Sequence, residues 1–94
     1  MLTYKSSYKW SDAIVLGEVL DFPGTIAYGN SLDEARHRLA SALRDMAETN
    51  LLRGEPLPIP DPAKTDTGAD LEEPIHLVLH AGQHVAMTVG AATP

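Results

Sequence analysis

The chain has 94 residues, a net charge of −6 from 13 acidic and 7 basic side chains, and no cysteine. A single domain of this size buries only about 60 to 65% of its unfolded surface, so its core is thin and self-association would help it. The missing cysteines exclude disulfides, thiolate metal sites and thiol nucleophiles, while the acidic balance disfavours a phosphate-binding surface and suits a cationic protein partner or plain solubility.

Taken in order, Leu2, Tyr4, Ser6, Tyr8 and Trp10 alternate with Thr3, Lys5, Ser7 and Lys9, the period of a strand with one buried and one wet face. Ser11 and Asp12 turn the chain. Ala13 to Leu20 is apolar on both faces apart from Glu18, which predicts an interior strand under a helix. Pro23 suits the second position of a β-turn and Gly24 tolerates the positive φ that follows, so the chain reverses between Asp21 and Gly24. Thr25 to Tyr28 then reads as a strand, ended by Gly29 and Asn30.

Ser31 and Glu34 have the spacing of a capping box, in which the serine accepts the N–H of residue 34 and the glutamate reaches back to the N–H of Ser31. Leu32, Ala35, Leu39, Ala42, Leu43 and Met46 follow at three- and four-residue intervals. The pattern predicts an amphipathic helix of about five turns. Leu51 and Leu52 prolong its apolar side, and Gly54 is placed to cap its end.

Pro56, Pro58, Pro60 and Pro62 forbid helix and favour an extended rod. The rod leads into a polar span where Asp61, Asp66, Asp70, Glu72 and Glu73 crowd around a single cation, Lys64. Structureless loops longer than about 12 to 15 residues are usually functional or disordered, and both readings of this span stay open. Ile75 to His80 alternates as a further half-buried strand, and Val85 to Val89 is a possible hairpin partner. The expected organisation is therefore one domain over 1–94, with a core at 2–54, a Pro-rich and acidic loop at 55–74, and a C-terminal strand or hairpin at 75–90.

The Asp-Phe-Pro-Gly turn, the Gly-Asn-Ser-Leu-Asp-Glu-Ala cap and the Gly-Glu-Pro-Leu-Pro-Ile-Pro ending stand in an order and spacing that resemble the HicB-like antitoxin family over residues 2 to 62. The resemblance implies an α+β fold, a β-β-β-α-β core of the partial ribonuclease H type with a mostly antiparallel sheet on one long helix. It also implies a partner: a small basic ribonuclease toxin that cleaves messenger RNA until the antitoxin covers its active face. Two departures are visible. Leu20 stands where the family often has proline, and the stretch after His80 is too short for a ribbon-helix-helix or helix-turn-helix module and has no lysine or arginine. Direct DNA binding is accordingly not expected.

Catalytic readings fare poorly on the same residues. A ribonuclease H-like nuclease needs carboxylates converging on two Mg²⁺ ions about 4 Å apart. Asp12 and Asp21 sit in turns at opposite ends of a strand, about 25 to 30 Å apart at roughly 3.3 Å per residue. His76 and His80, four apart on a strand, lie about 13 Å from one another, too far to share an ion. His80 and His84 could meet across a turn but leave a zinc site short of ligands. No nucleophile elbow is present, Ser31 is used as a cap, and Gly24 and Gly29 read as turn formers rather than a phosphate cradle. Arg36, Arg38 and Arg44 alternate with Asp33, Asp45 and Glu48 as an ordinary charged helix face.

The expectation is a non-catalytic, antitoxin-like binding protein without cofactor or metal, with Asp61, Asp66, Asp70, Glu72 and Glu73 as the surface that meets a cationic toxin. The alternative is a solitary self-assembly or protein-interaction module. A homodimer or higher homo-oligomer is compatible with both. No run of about 18 apolar residues and no signal-peptide core are present, so a cytoplasmic protein without membrane attachment is expected.

Overall fold

The computed structural model describes residues 2–79. Four strands form one antiparallel sheet in the order β3-β2-β1-β4: β1 (Thr3–Ser11), β2 (Ile14–Val19), β3 (Ile26–Gly29) and β4 (Leu71–His76). Helix α1 (Leu32–Leu52) lies between β3 and β4 in sequence and packs on one face of the sheet. The α+β class and the β-β-β-α-β order expected from the sequence are both present.

The pairing register sorts the side chains. Tyr8 stands opposite Gly17 and Leu71, Ser6 opposite Val19 and Glu73, and Tyr4 opposite Ile75. These residues share the helix-facing side with Val15, and Ala35, Leu39, Leu43, Ala47 and Leu51 of α1 complete the core. Full burial of one such leucine contributes about 1.5 to 3 kcal/mol. Leu52, expected to extend the apolar side, is instead 77% exposed, because one residue past Leu51 turns about 100° around the helix axis.

Local chemistry accounts for the turns. Asp12 adopts a positive φ of 53° at the head of the two-residue loop closed by Ser11 and Ile14, a conformation aspartate tolerates better than most residues. Thr25 N donates to Phe22 O across Pro23 and Gly24, and the φ of 88° at Gly24 is that of the third residue in a type II turn. The helix start differs in one detail from the capping-box expectation. Ser31 Oγ accepts from Glu34 N, but Glu34 reaches the N–H of Asn30, one residue earlier than expected. At the other end, Gly54 N donates to Leu51 O and Glu55 N to Asn50 O, with φ of 72° at Gly54, which closes the helix in a Schellman motif.

Gly29 is more than a turn former. A Cβ there would meet the backbone N of Ala35 at 2.8 Å, so the absence of a side chain lets β3 close against the first turn of α1.

Two expectations for the second half need correction. The strand placed at Ile75 to His80 begins four residues earlier, at Leu71, because Tyr8 O is already engaged by Asp70 N and the ladder runs on from there. Pro74 is tolerated inside it because Lys5, its partner, turns its carbonyl to Leu20 N on the β2 side, so no donor is required at that position. The Pro-rich segment is also not a free rod: Leu57 is fully buried in the core, and Tyr4 Oη donates to Pro58 O. The possible hairpin partner at Val85 to Val89, with His80 and His84, lies outside the described residues.

Candidate functional site

The segment from Glu55 to Asp70 leaves the helix side at Leu57, passes the Asp21 end of the sheet and lies over the outer face of β1. Its hold there is polar. Lys5 Nζ donates to Pro62 O at 2.8 Å, Ser7 Oγ to Asp66 Oδ2 at 3.2 Å, and Trp10 N to Asp70 Oδ2 at 2.9 Å.

This arrangement decides where the five acidic residues singled out in the sequence stand. Asp66 accepts from Gly68 N, lies 3.4 Å from Lys9 Nζ, and takes the Ser7 hydroxyl. The Gly68 N–H above all, with Lys9 beside it, holds its carboxyl below the usual carboxylate range. Glu72 pairs with Lys5 at 3.6 Å and accepts from Asp66 N at 2.7 Å. Glu73 is on the helix side, where Arg36 grips it through two parallel bonds of 2.7 and 2.9 Å and ties α1 to β4. Arg36 was read from sequence as part of a plain charged face, since nothing in helix periodicity marks a partner 37 residues away.

Asp70 keeps an exposed side chain although one oxygen serves Trp10, and Asp61 is exposed with one oxygen on Ala63 N. Asp66, Glu72 and Glu73 thus spend their charge inside the chain, while Asp61 and Asp70 meet no basic side chain among the described residues.

Beside this segment lies an open cavity of about 320 Å³. Pro60, Pro62 and Pro74 give it apolar walls, and Lys5, Asp21, Asp61, Glu72 and Glu73 give it charge. Asp21 is the residue that sequence reasoning missed. It is only 7% exposed, its Oδ1 accepts from Asp61 N at 3.2 Å, and its buried Oδ2 has no hydrogen-bond partner among the described residues. A signal was available: aspartate opening a turn normally bonds the N–H two residues on, and here that residue is Pro23, which has none. Tyr4 lines the same cavity, and its hydroxyl is pushed up to about 12, by burial first and then by the charge of Asp21.

A second, shallower groove of about 440 Å³ runs along the β1–β2 turn and the outer face of β2 and β3, with Ile14, Leu16 and Tyr28 in its walls. Ile14, Leu16, Ile26 and Tyr28 are all exposed there, on the half of the outer face that the Glu55–Asp70 segment does not reach. Among the described residues, no three His, Asp or Glu side chains converge where a metal ion could be held.

No family model matches the chain, and no curated protein matches it. Among solved structures it is similar to the N-terminal domain of the Burkholderia pseudomallei antitoxin HicB, with a TM-score of 0.71 and 21% sequence identity. The match spans 83% of this chain and the whole of that one. The fold is that of the HicB N-terminal domain. At this identity the likeness fixes architecture only.

Proposed function

We propose that the chain is a HicB-like, non-catalytic antitoxin domain that neutralises a small basic, messenger-RNA-cleaving toxin by covering its active face. The observation that carries this reading is the similarity to the HicB antitoxin N-terminal domain, which runs through the whole of that domain. The motifs that suggested the same family from sequence support it: the Pro23–Gly24 turn, the Ser31 cap and the buried Leu57 of the Pro-rich ending each have a definite place in the fold. The net charge of −6 steers a basic partner toward the domain. Of the five acidic residues proposed for contact, Asp61 and Asp70 are the exposed ones, and Asp66, Glu72 and Glu73 reach a partner only by exchanging Lys9, Lys5 and Arg36 for it.

The test is co-purification with a small basic protein encoded beside this one, followed by an RNA-cleavage assay. A stable complex that suppresses cleavage is the expected result. A basic neighbour that cleaves RNA equally with and without this domain sinks the proposal.

Self-assembly is a second reading, favoured by one observation: Ile14, Leu16, Ile26 and Tyr28 form an exposed apolar stripe that reaches β3, an edge strand among the described residues. Light scattering over a range of concentrations tests it. A Tyr28→Lys variant is expected to lower the mass if the stripe is the interface, and an unchanged mass removes this reading.

A further inference from the structure

Four apolar side chains on the bare half of the outer face stand outside the core. Ile14 and Leu16 of β2 and Ile26 and Tyr28 of β3 point away from the helix, and the register sets Leu16 directly opposite Tyr28. Each leaves between 40% and 60% of its surface exposed, so together they present on the order of 400 Å² of apolar area, the scale of a contact site rather than of scattered surface residues. Both ends of this stripe are acidic. Asp12 stands at the β1–β2 turn with Ile14, and Glu18 follows Leu16 on the same face of β2, opposite Ile26. Neither carboxylate has an ion-pair partner among the described residues. The cations that border the stripe are engaged: Lys9, opposite Leu16 in the ladder, lies 3.4 Å from Asp66, and Arg38 donates to Tyr28 O and lies 3.7 Å from Glu34.

We propose that this stripe is the docking surface for a basic protein, with an apolar patch of the partner covering Leu16 and Tyr28 and lysines or arginines around that patch meeting Asp12 and Glu18. An apolar centre that includes a tyrosine, inside a charged rim, is the usual anatomy of such a contact. The charges at its ends choose the occupant. A two-fold contact between copies of this chain lays the ends of the stripe on one another, and in either direction carboxylate meets carboxylate, between chains that each carry −6. A basic partner meets no such repulsion. In the antitoxin reading, on which the naming of the partner rests, that protein is the toxin, and the centre of its contact is the outer face of β2 and β3 rather than the acidic segment over β1. Asp61 and Asp70 then speed the encounter without forming the contact.

The experiment measures the affinity and association rate of the full chain for the purified small basic protein encoded beside it. Tyr28→Ala is expected to weaken the complex by about thirtyfold or more, the scale of an aromatic anchor at the centre of an interface. Ile26→Lys sets a positive charge against a positive partner and is expected to weaken it as strongly. Both positions are exposed, so neither change removes a core contact. Asp12→Asn combined with Glu18→Gln should slow association and flatten its dependence on salt, and Asp61→Asn combined with Asp70→Asn should slow association while leaving the dissociation rate unchanged.

Wild-type affinity in both Tyr28→Ala and Ile26→Lys overturns the proposal, and if RNA cleavage is still suppressed it leaves the antitoxin reading standing. Absence of any complex with the wild-type chain overturns the two together. The mass of the chain alone is read over the same concentrations. A mass that rises with concentration and falls back in Tyr28→Ala puts a second copy on the stripe and overturns the proposal as well.

Discussion

The two faces of the sheet are covered by different chemistry. On one side α1 lays Leu39 and Leu43 against Tyr8, Val15 and Val19, a dry contact in which close packing of apolar atoms does most of the holding. On the other side the Glu55–Asp70 segment, once past its buried Leu57, crosses β1 and is fastened by Lys5, Ser7, Lys9 and the main chain at Trp10. The first cover is set by a repeating pattern. The second is a set of individual polar bonds whose spacing has no period, and it stops short of β2 and β3. A sheet can therefore present, on one molecule, a sealed face and a face half clothed and half bare.

The largest effects should fall on apolar anchors. Leu43→Ala, under the helix, is expected to lose about 2 to 5 kcal/mol in urea unfolding. Leu57→Ala removes the fully buried leucine of the polar segment and should cost a similar amount, about 2 to 5 kcal/mol. It should also speed amide exchange between Asp61 and Asp70 ahead of that in α1. Unchanged protection of the segment would mean that its polar bonds hold it unaided.

Tyr4 belongs to both covers, with its ring in the core and its hydroxyl on Pro58 O. Its folded pKa of about 12 lies above the ordinary 10. The neutral phenol is therefore favoured by folding, and the stability it contributes is complete below pH 10 and is lost as the pH rises toward 12. The loss is expected to reach about 2 kcal/mol and to be reduced in Tyr4→Phe, as read by denaturation across that range, the remainder belonging to Tyr8, whose hydroxyl burial also pushes up.

Smaller still, Ser31→Ala should cost about 1 kcal/mol by leaving Glu34 N without its cap. The smallest effect belongs to the polar cover. Asp66 has a depressed folded pKa, so its contribution is present above the ordinary carboxylate range and is lost as the pH falls through the folded value. Asp66→Asn should flatten that acid limb slightly and leave neutral stability nearly unchanged. A large drop at neutral pH would show the polar cover to be as strong a support as the helix.

What was legible in the sequence follows the same division. β1, β2 and α1 could be read because alternation and three-four spacing repeat often enough to fix which face is buried, and the Pro23–Gly24 turn because its φ requirements are local. The start of β4 could not. Leu71, Glu72, Glu73 and Pro74 carry two charges and a proline, and only the partner strand, with Tyr8 and Lys5 opposite, shows why they belong in a sheet. For the same reason Asp66, Glu72 and Glu73 read as free acid: their cations Lys9, Lys5 and Arg36 are distant in sequence and meet them only after the chain has folded. Asp21 was visible as a turn residue and invisible as a buried charge.

Pro74 has an effect beyond its own strand. The donor it lacks would have pointed away from β1, along the outer rim of β4, so a strand laid against that rim would miss a rung midway along. Ile26–Gly29 at the opposite rim contains no proline. Among the described residues both rims are thus interrupted, β4 by the donor that Pro74 lacks and β3 by Arg38 Nη1, which already holds the outward-facing Tyr28 O.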